Sequence, residues 1–194
     1  RLVAELLARG VRVRATVRTA DAAEAVRGLG AEPVPWSLAD REAPPTLLQG
    51  VDVVFHLAAP RRVYHETTGR THRSGDPELA AGTERLAVLF AASDAERFVL
   101  ASSAAVYGNP WGEVDETAPT AAKGAYGRTR LATELACRAQ LGASPERLVV
   151  ARLPETFGPL SPGQLGILGG IAQARFRLIG RGHALHHMST VGDV

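Results

Sequence analysis

The 194-residue chain is poor in several residue types, and each shortage narrows what it can do. A single cysteine, Cys137, excludes an intramolecular disulfide and fits a reducing compartment, the cytoplasm. No apolar run approaches the roughly 20 residues that a membrane-crossing helix needs, so neither a signal peptide nor a membrane partner is expected. Aromatics make up 5% of the chain, and Lys123 is the sole lysine among 22 basic residues. With a net charge of +2 and no basic cluster interleaved with aromatics, nucleic acid is not an expected partner either. His183, His186 and His187 stand together without Cys or Glu at ligand spacing. A surface or substrate-lobe loop is the expected role there, and no metal.

What is present is a 45% hydrophobic chain, long enough to bury a core. Residues 1–10 read as an amphipathic helix with a glycine stop, but with no cap and no strand before it. Residues 11–18 alternate with period two and predict a strand ending on Arg18. A helix is expected over 20–29, ending at Gly30, then a short strand over 33–36. Residues 51–60 are continuously apolar, as in a strand covered on both faces. Residues 61–77, polar with Gly69 and Gly75, read as a mobile loop over the site. A helix over 78–93, a strand over 97–102, a Pro, Gly and acid-rich connection over 109–124, and a strand over 147–153 follow. A glycine-interrupted helix is expected over 163–174. Strands alternating with helices predict an α/β fold, a doubly wound parallel sheet of Rossmann type, with a small C-terminal lobe.

The chemistry concentrates on Tyr126-Gly127-Arg128-Thr129-Arg130. On a helix, Tyr126 and Arg130 share a face. A phenol with its ordinary pKa of about 10 is a poor acid or base at neutral pH, so a cation that stabilises the phenolate is what such chemistry requires. Upstream, Ala101-Ser102-Ser103-Ala104-Ala105-Val106-Tyr107-Gly108 follows an apolar run and offers hydroxyls where a parallel strand ends. Open α/β sheets place their sites at such ends.

These two stretches resemble the extended short-chain dehydrogenase/reductase family, the NAD(P)-dependent epimerase/dehydratase type, whose signature is Tyr-x-x-x-Lys preceded by Ser-Ser-x-x-Val-Tyr-Gly. The lysine position holds Arg130. The resemblance implies that Ser103, Tyr126 and Arg130 are catalytic. It implies a dinucleotide-binding domain over 1–153 and a partial substrate lobe over 154–194. It places the first strand and a Gly-rich phosphate loop before Arg1, and further lobe after Val194.

The implied cofactor is NADP, with NAD as the alternative. Arg18 and Thr19 would meet the adenosine ribose and its 2′-phosphate, although a solvated arginine is the plain alternative for Arg18. Ser37 and Leu38 would lie at the adenine, Leu57, Ala58 and Ala59 under the cofactor, and Tyr126, Arg130 and Pro154 beside it. The family's habit of pairing through a four-helix bundle implies a homodimer built on the 78–93 and Tyr126 helices, a plain core helix being the alternative. Besides Arg130, Leu79 stands where relatives carry a proton-relay asparagine, and Glu155 where an asparagine contacts a substrate diphosphate. His56 reads as a packed strand residue. Two functions remain open. One is an NADP-dependent oxidoreductase, epimerase or dehydratase acting on a secondary alcohol or ketone, with a sugar or sugar-nucleotide as the small-molecule substrate. The other, favoured by Leu79 and Arg130, is a catalytically degenerate NADP(H)-binding redox sensor or scaffold.

Overall fold

The computed structural model describes residues 1–59, 77–158, 168–175, 177 and 187–193. Helix α1 (Leu2–Ala8) gives way to Gly10, whose φ of +76° reverses the chain into strand β1 (Arg14–Val17). Helix α2 (Ala20–Gly28) starts where the Thr19 hydroxyl accepts from the Ala22 amide at 3.2 Å, an N-cap that satisfies one of the orphan donors of the first turn. Gly30, at φ +91°, turns the chain into β2 (Glu32–Pro35), which runs parallel to β1.

A second parallel sheet has the order β3–β4–β5, with β3 at Val53–His56, β4 at Arg97–Ser103 and β5 at Leu148–Leu153. Its register aligns Phe55 with Val99 and Val99 with Val149. Helices α3 (Pro77–Ala91) and α4 (Ala125–Leu141) pack together, and α4 lies against this sheet. They bury the pleat face bearing His56, Phe98, Leu100 and Ser102. Phe90 of α3 meets Phe98 edge to face at 5.3 Å, and Leu86, Ala87, Cys137, Leu141 and Trp36 complete the core. Strands β6 (Glu155–Phe157) and β7 (Met188–Thr190) form a third parallel pair.

The expected doubly wound sheet is therefore present as three separately hydrogen-bonded parallel pieces, with strands shorter than their apolar runs. The expectation that β3 is covered on both faces is corrected: Val53 and Phe55 are each 41% exposed and Val149 is 39% exposed, all on the pleat face away from α3 and α4. Among the described residues no buried side chain of α1 seals that face.

Of the expected 163–174 helix, residues 168–172 are helical, and 163–167 lie outside the described residues, as do 61–76, His183 and His186. Among the described residues no helix is long and apolar enough to cross a membrane.

Candidate active site

Tyr126 and Arg130 project from the first turns of α4, and the spacing read from the sequence brings them together. The Arg130 Nε donates to the Tyr126 hydroxyl oxygen at 3.3 Å, and the guanidinium carbon lies 5.3 Å from the tyrosine ring centroid. Arg130 is only 6% exposed. Its Nη1 donates to two backbone carbonyls, Ala58 at 3.1 Å after β3 and Ala101 at 3.3 Å in β4. Among the described residues no carboxylate pairs with it. Burying a cation is costly unless something answers its charge. Carbonyls and a phenol answer it only in part, so the site holds a fixed positive field aimed at the Tyr126 oxygen.

His56, at the end of β3, lies behind this cation and was legible in the sequence only as a packed residue. It is 5% exposed, edge-on to Phe98, and its Nε2 is 2.8 Å from the Thr83 Oγ1. The Thr83 hydroxyl spends its own proton on the Leu79 carbonyl at 2.7 Å, so the imidazole Nε2 must be the donor to Thr83. Burial, and then the nearby Arg130 charge, push the His56 pKa down to about 4. The imidazole is thus neutral at working pH and adds no second charge beside Arg130. Leu79 itself is buried at 6%, its carbonyl committed to Thr83.

Ser103 ends β4 and caps a short 3-10 turn, Ala104–Tyr107, its Oγ accepting from the Ala105 amide at 3.2 Å. That bond uses an acceptor lone pair and, among the described residues, leaves the hydroxyl proton uncommitted. The turn and α4 are in contact at Gly127, next to Tyr126, which packs on the Ala105 carbonyl. Strand end, 3-10 turn and helix start thereby converge on one edge of the sheet. Sequence reading missed the polar set beneath them, in which the buried Ser102, Tyr107 and Glu134 are joined by hydrogen bonds with the partly buried Arg152. One signal could have found it: Tyr126, Arg130 and Glu134 recur at intervals of four on α4.

The residues expected to meet the dinucleotide lie at the C-terminal strand ends. Arg18 and Thr19 are exposed after β1, and Leu57, Ala58 and Ala59 are exposed after β3. Thr19 is already engaged as the cap of α2. Ser37 closes a turn in which its Oγ accepts from the Ala39 amide and its own amide donates to Asp40. The Leu38 carbonyl accepts from Arg85 and lies against Gly82, where a Cβ would approach within 2.5 Å of it. Pro154, between β5 and β6, is half-buried. The exposed residues after β1 and β3 and the buried Arg130 cation are groups that could hold an anionic cofactor. Glu155 is exposed at the start of β6.

The chain is similar to known proteins along most of its length. The chain is 41% identical over 122 residues to a ketoreductase of Stigmatella aurantiaca named for 4-hydroxy-2-methyl-3-oxo-4-farnesyl-3,4-dihydroquinoline-1-oxide, a match covering 61% of this chain and 34% of that protein. It is 32% identical over 114 residues to an uncharacterized UDP-glucose epimerase of Bacillus subtilis (strain 168), covering 59% of this chain and 36% of that one. The matches thus span about a third of the length of these curated relatives. Among solved structures it superposes on MoeE5 in complex with UDP-glucose and NAD, with a TM-score of 0.74, 26% identity, and coverage of 99% of this chain and 64% of that one. The sequence pattern described as the NAD dependent epimerase/dehydratase family matches residues 1–190, and the chain belongs to that family.

Proposed function

We propose that this chain is the cofactor-binding and catalytic part of an NADP(H)-dependent oxidoreductase or epimerase that interconverts a secondary alcohol and a ketone. The observation behind this reading is the Arg130 Nε donating to the Tyr126 oxygen while two strand-end carbonyls hold the guanidinium in place. In the reducing direction the Tyr126 hydroxyl gives its proton to the substrate oxygen, and Arg130 holds the charge left on the phenol. Ser103 donates a hydrogen bond to the same oxygen and stabilises the charge that develops there. A nicotinamide dinucleotide held beside Tyr126 and Arg130 would supply the hydride for the carbonyl carbon. Arginine as a residue type does not release a proton, so the phenol is reprotonated through Ser103 or water.

Arg18, exposed after β1, is the group we assign to a 2′-phosphate, which supports NADP over NAD. A sugar or sugar-nucleotide is the substrate class in view, given a UDP-glucose epimerase among the relatives. Val88 of α3 and Leu135 of α4, 47% and 59% exposed, are apolar groups suited to a homodimer contact through these helices. The buried free thiol of Cys137 suits a cytoplasmic setting.

A second reading, a dinucleotide-binding redox sensor or scaffold, draws on Leu79, which puts a buried apolar side chain where a proton relay would run. Fluorescence titration with NADPH, followed by its oxidation with keto-sugars and aromatic ketones and by a product assay for epimerised UDP-glucose, separates the two. Binding with turnover is expected. Binding without turnover on any of these compounds would favour the sensor.

A further inference from the structure

Beneath Tyr126 and Ser103 lies a buried carboxylate that the proposed chemistry does not use. Glu134 is 1% exposed, in the middle of α4. It accepts from the Ser102 hydroxyl at 2.5 Å and from Arg152 of β5, through Nη2 at 2.8 Å and Nε at 3.1 Å. Arg152 in turn donates through Nη1 to the Tyr107 hydroxyl at 2.9 Å and to the Glu116 carbonyl at 3.4 Å, its guanidinium carbon 4.9 Å from the Tyr107 ring centroid. Five chain segments are thus tied to one ion pair: the end of β4, the 3-10 turn, the acidic connection, α4 and β5. A buried ion pair contributes little net stability compared with apolar groups of the same volume, because desolvation offsets its attraction. What it does supply is direction, since each hydrogen bond demands a distance and an angle.

The directions here bear on the site. Tyr126, Arg130 and Glu134 lie four residues apart along one stripe of α4, so rotation or sliding of that helix moves all three together. Ser102, the anchor of Glu134, is the residue immediately before Ser103, and Tyr107 closes the turn that Ser103 caps. We propose that Glu134 and Arg152 are positioning residues, which lock α4 to the end of β4 and thereby set the Tyr126 hydroxyl against the Ser103 hydroxyl. This rests on the reading of Tyr126 and Ser103 as the reacting pair. A misplacement of about 1 Å between reacting groups costs on the order of a hundredfold in rate.

The test uses Glu134→Gln, Arg152→Met and the milder Ser102→Ala, which removes one hydrogen bond and leaves the ion pair intact. Two readouts are taken on each. The first is kcat and KM on the carbonyl compound that the parent reduces fastest with NADPH. The second, independent of turnover, is the ring-carbon resonances of isotope-labelled tyrosine. The chain has three tyrosines, and Tyr107→Phe and Tyr126→Phe assign the two that matter. We expect kcat to fall about tenfold or more in Glu134→Gln and Arg152→Met, and about threefold in Ser102→Ala, with KM and NADPH affinity nearly unchanged. The Tyr126 resonance should move in all three.

If Tyr107 shifts while Tyr126 stays in place, or if the variants melt earlier with kcat intact, the pair is merely structural and the proposal is overturned. Should the parent turn over no carbonyl yet the Tyr126 resonance respond, the positioning role stands and the enzymatic reading fails. If Glu134→Gln does not fold, Ser102→Ala decides by the same two readouts.

Discussion

Gly127 lies so close to the carbonyl of Ala105 that a Cβ at position 127 would stand 2.5 Å from that oxygen. Real Cβ atoms do not approach a backbone oxygen so closely, so any side chain there forces α4 away from the Ser103 turn. In an open helix Gly→Ala stabilises by about 0.5–1 kcal/mol. At this position the clash outweighs that gain, and Gly127→Ala is expected to destabilise by about 1–3 kcal/mol. Because residue 127 follows Tyr126, the same change should lower kcat more than it raises KM. Thermal melting and steady-state kinetics on one preparation check both; an alanine variant that melts later and works normally would mean that the helix has room to shift.

Tyr126→Phe removes the proton donor and leaves the ring and Arg130 in place. Turnover should be abolished while NADPH still binds, measured by fluorescence titration. Arg130→Lys should bind the dinucleotide and keep turnover within about tenfold, provided the shorter head reaches the Tyr126 oxygen. Arg130→Met should lose both properties, since it takes away the buried cation and leaves the Ala58 and Ala101 carbonyls without their donor. Full activity in Tyr126→Phe would exclude the phenol as the acid.

Cofactor choice should follow Arg18. A charge-assisted contact to a phosphate contributes about 1.5–3 kcal/mol, enough for a preference of about tenfold or more. Arg18→Ala should weaken NADPH by that factor and leave NADH almost unaffected, as read from parallel titrations. An equal loss for both cofactors would mark Arg18 as structural.

His56 makes stability fall in acid. Its folded pKa of about 4 lies below the ordinary 6.5, so between these values the unfolded chain takes up a proton that the folded chain refuses. Stability therefore declines as pH drops through that window, is fully present above it, and levels off below about 4. The contribution is about 3 kcal/mol at this burial. Urea unfolding at pH 7 and near pH 4 should show a drop of that size beyond the drop in His56→Asn, which cannot titrate there. Parallel losses in the two proteins would remove His56 from the account.

Local rules made much of this molecule legible in the chain itself. The period-two run ending at Arg18 became β1 because alternation is a property of extended backbone, and the helix stops came at Gly10 and Gly30 because both need positive φ. Four-residue spacing placed Arg130 beside Tyr126 because both sit on one helix, where distance along the chain sets distance in space. What tertiary structure alone decided is everything that depends on residues far apart in sequence. The two carbonyls that hold Arg130 come from positions 58 and 101, and no periodicity predicts which oxygen a guanidinium will meet. His56 is neutral because the fold buries it and places Arg130 nearby, and Glu134 is held where it is because Ser102 and Arg152 arrive from neighbouring strands. Apolar composition suggested that β3 would be sealed on both faces, yet among the described residues Val53 and Phe55 stay partly exposed on one of them, because burial depends on which helices pack where. A side chain's chemistry is written in its identity, whereas its charge, its partners and its burial are set by whatever the fold places against it.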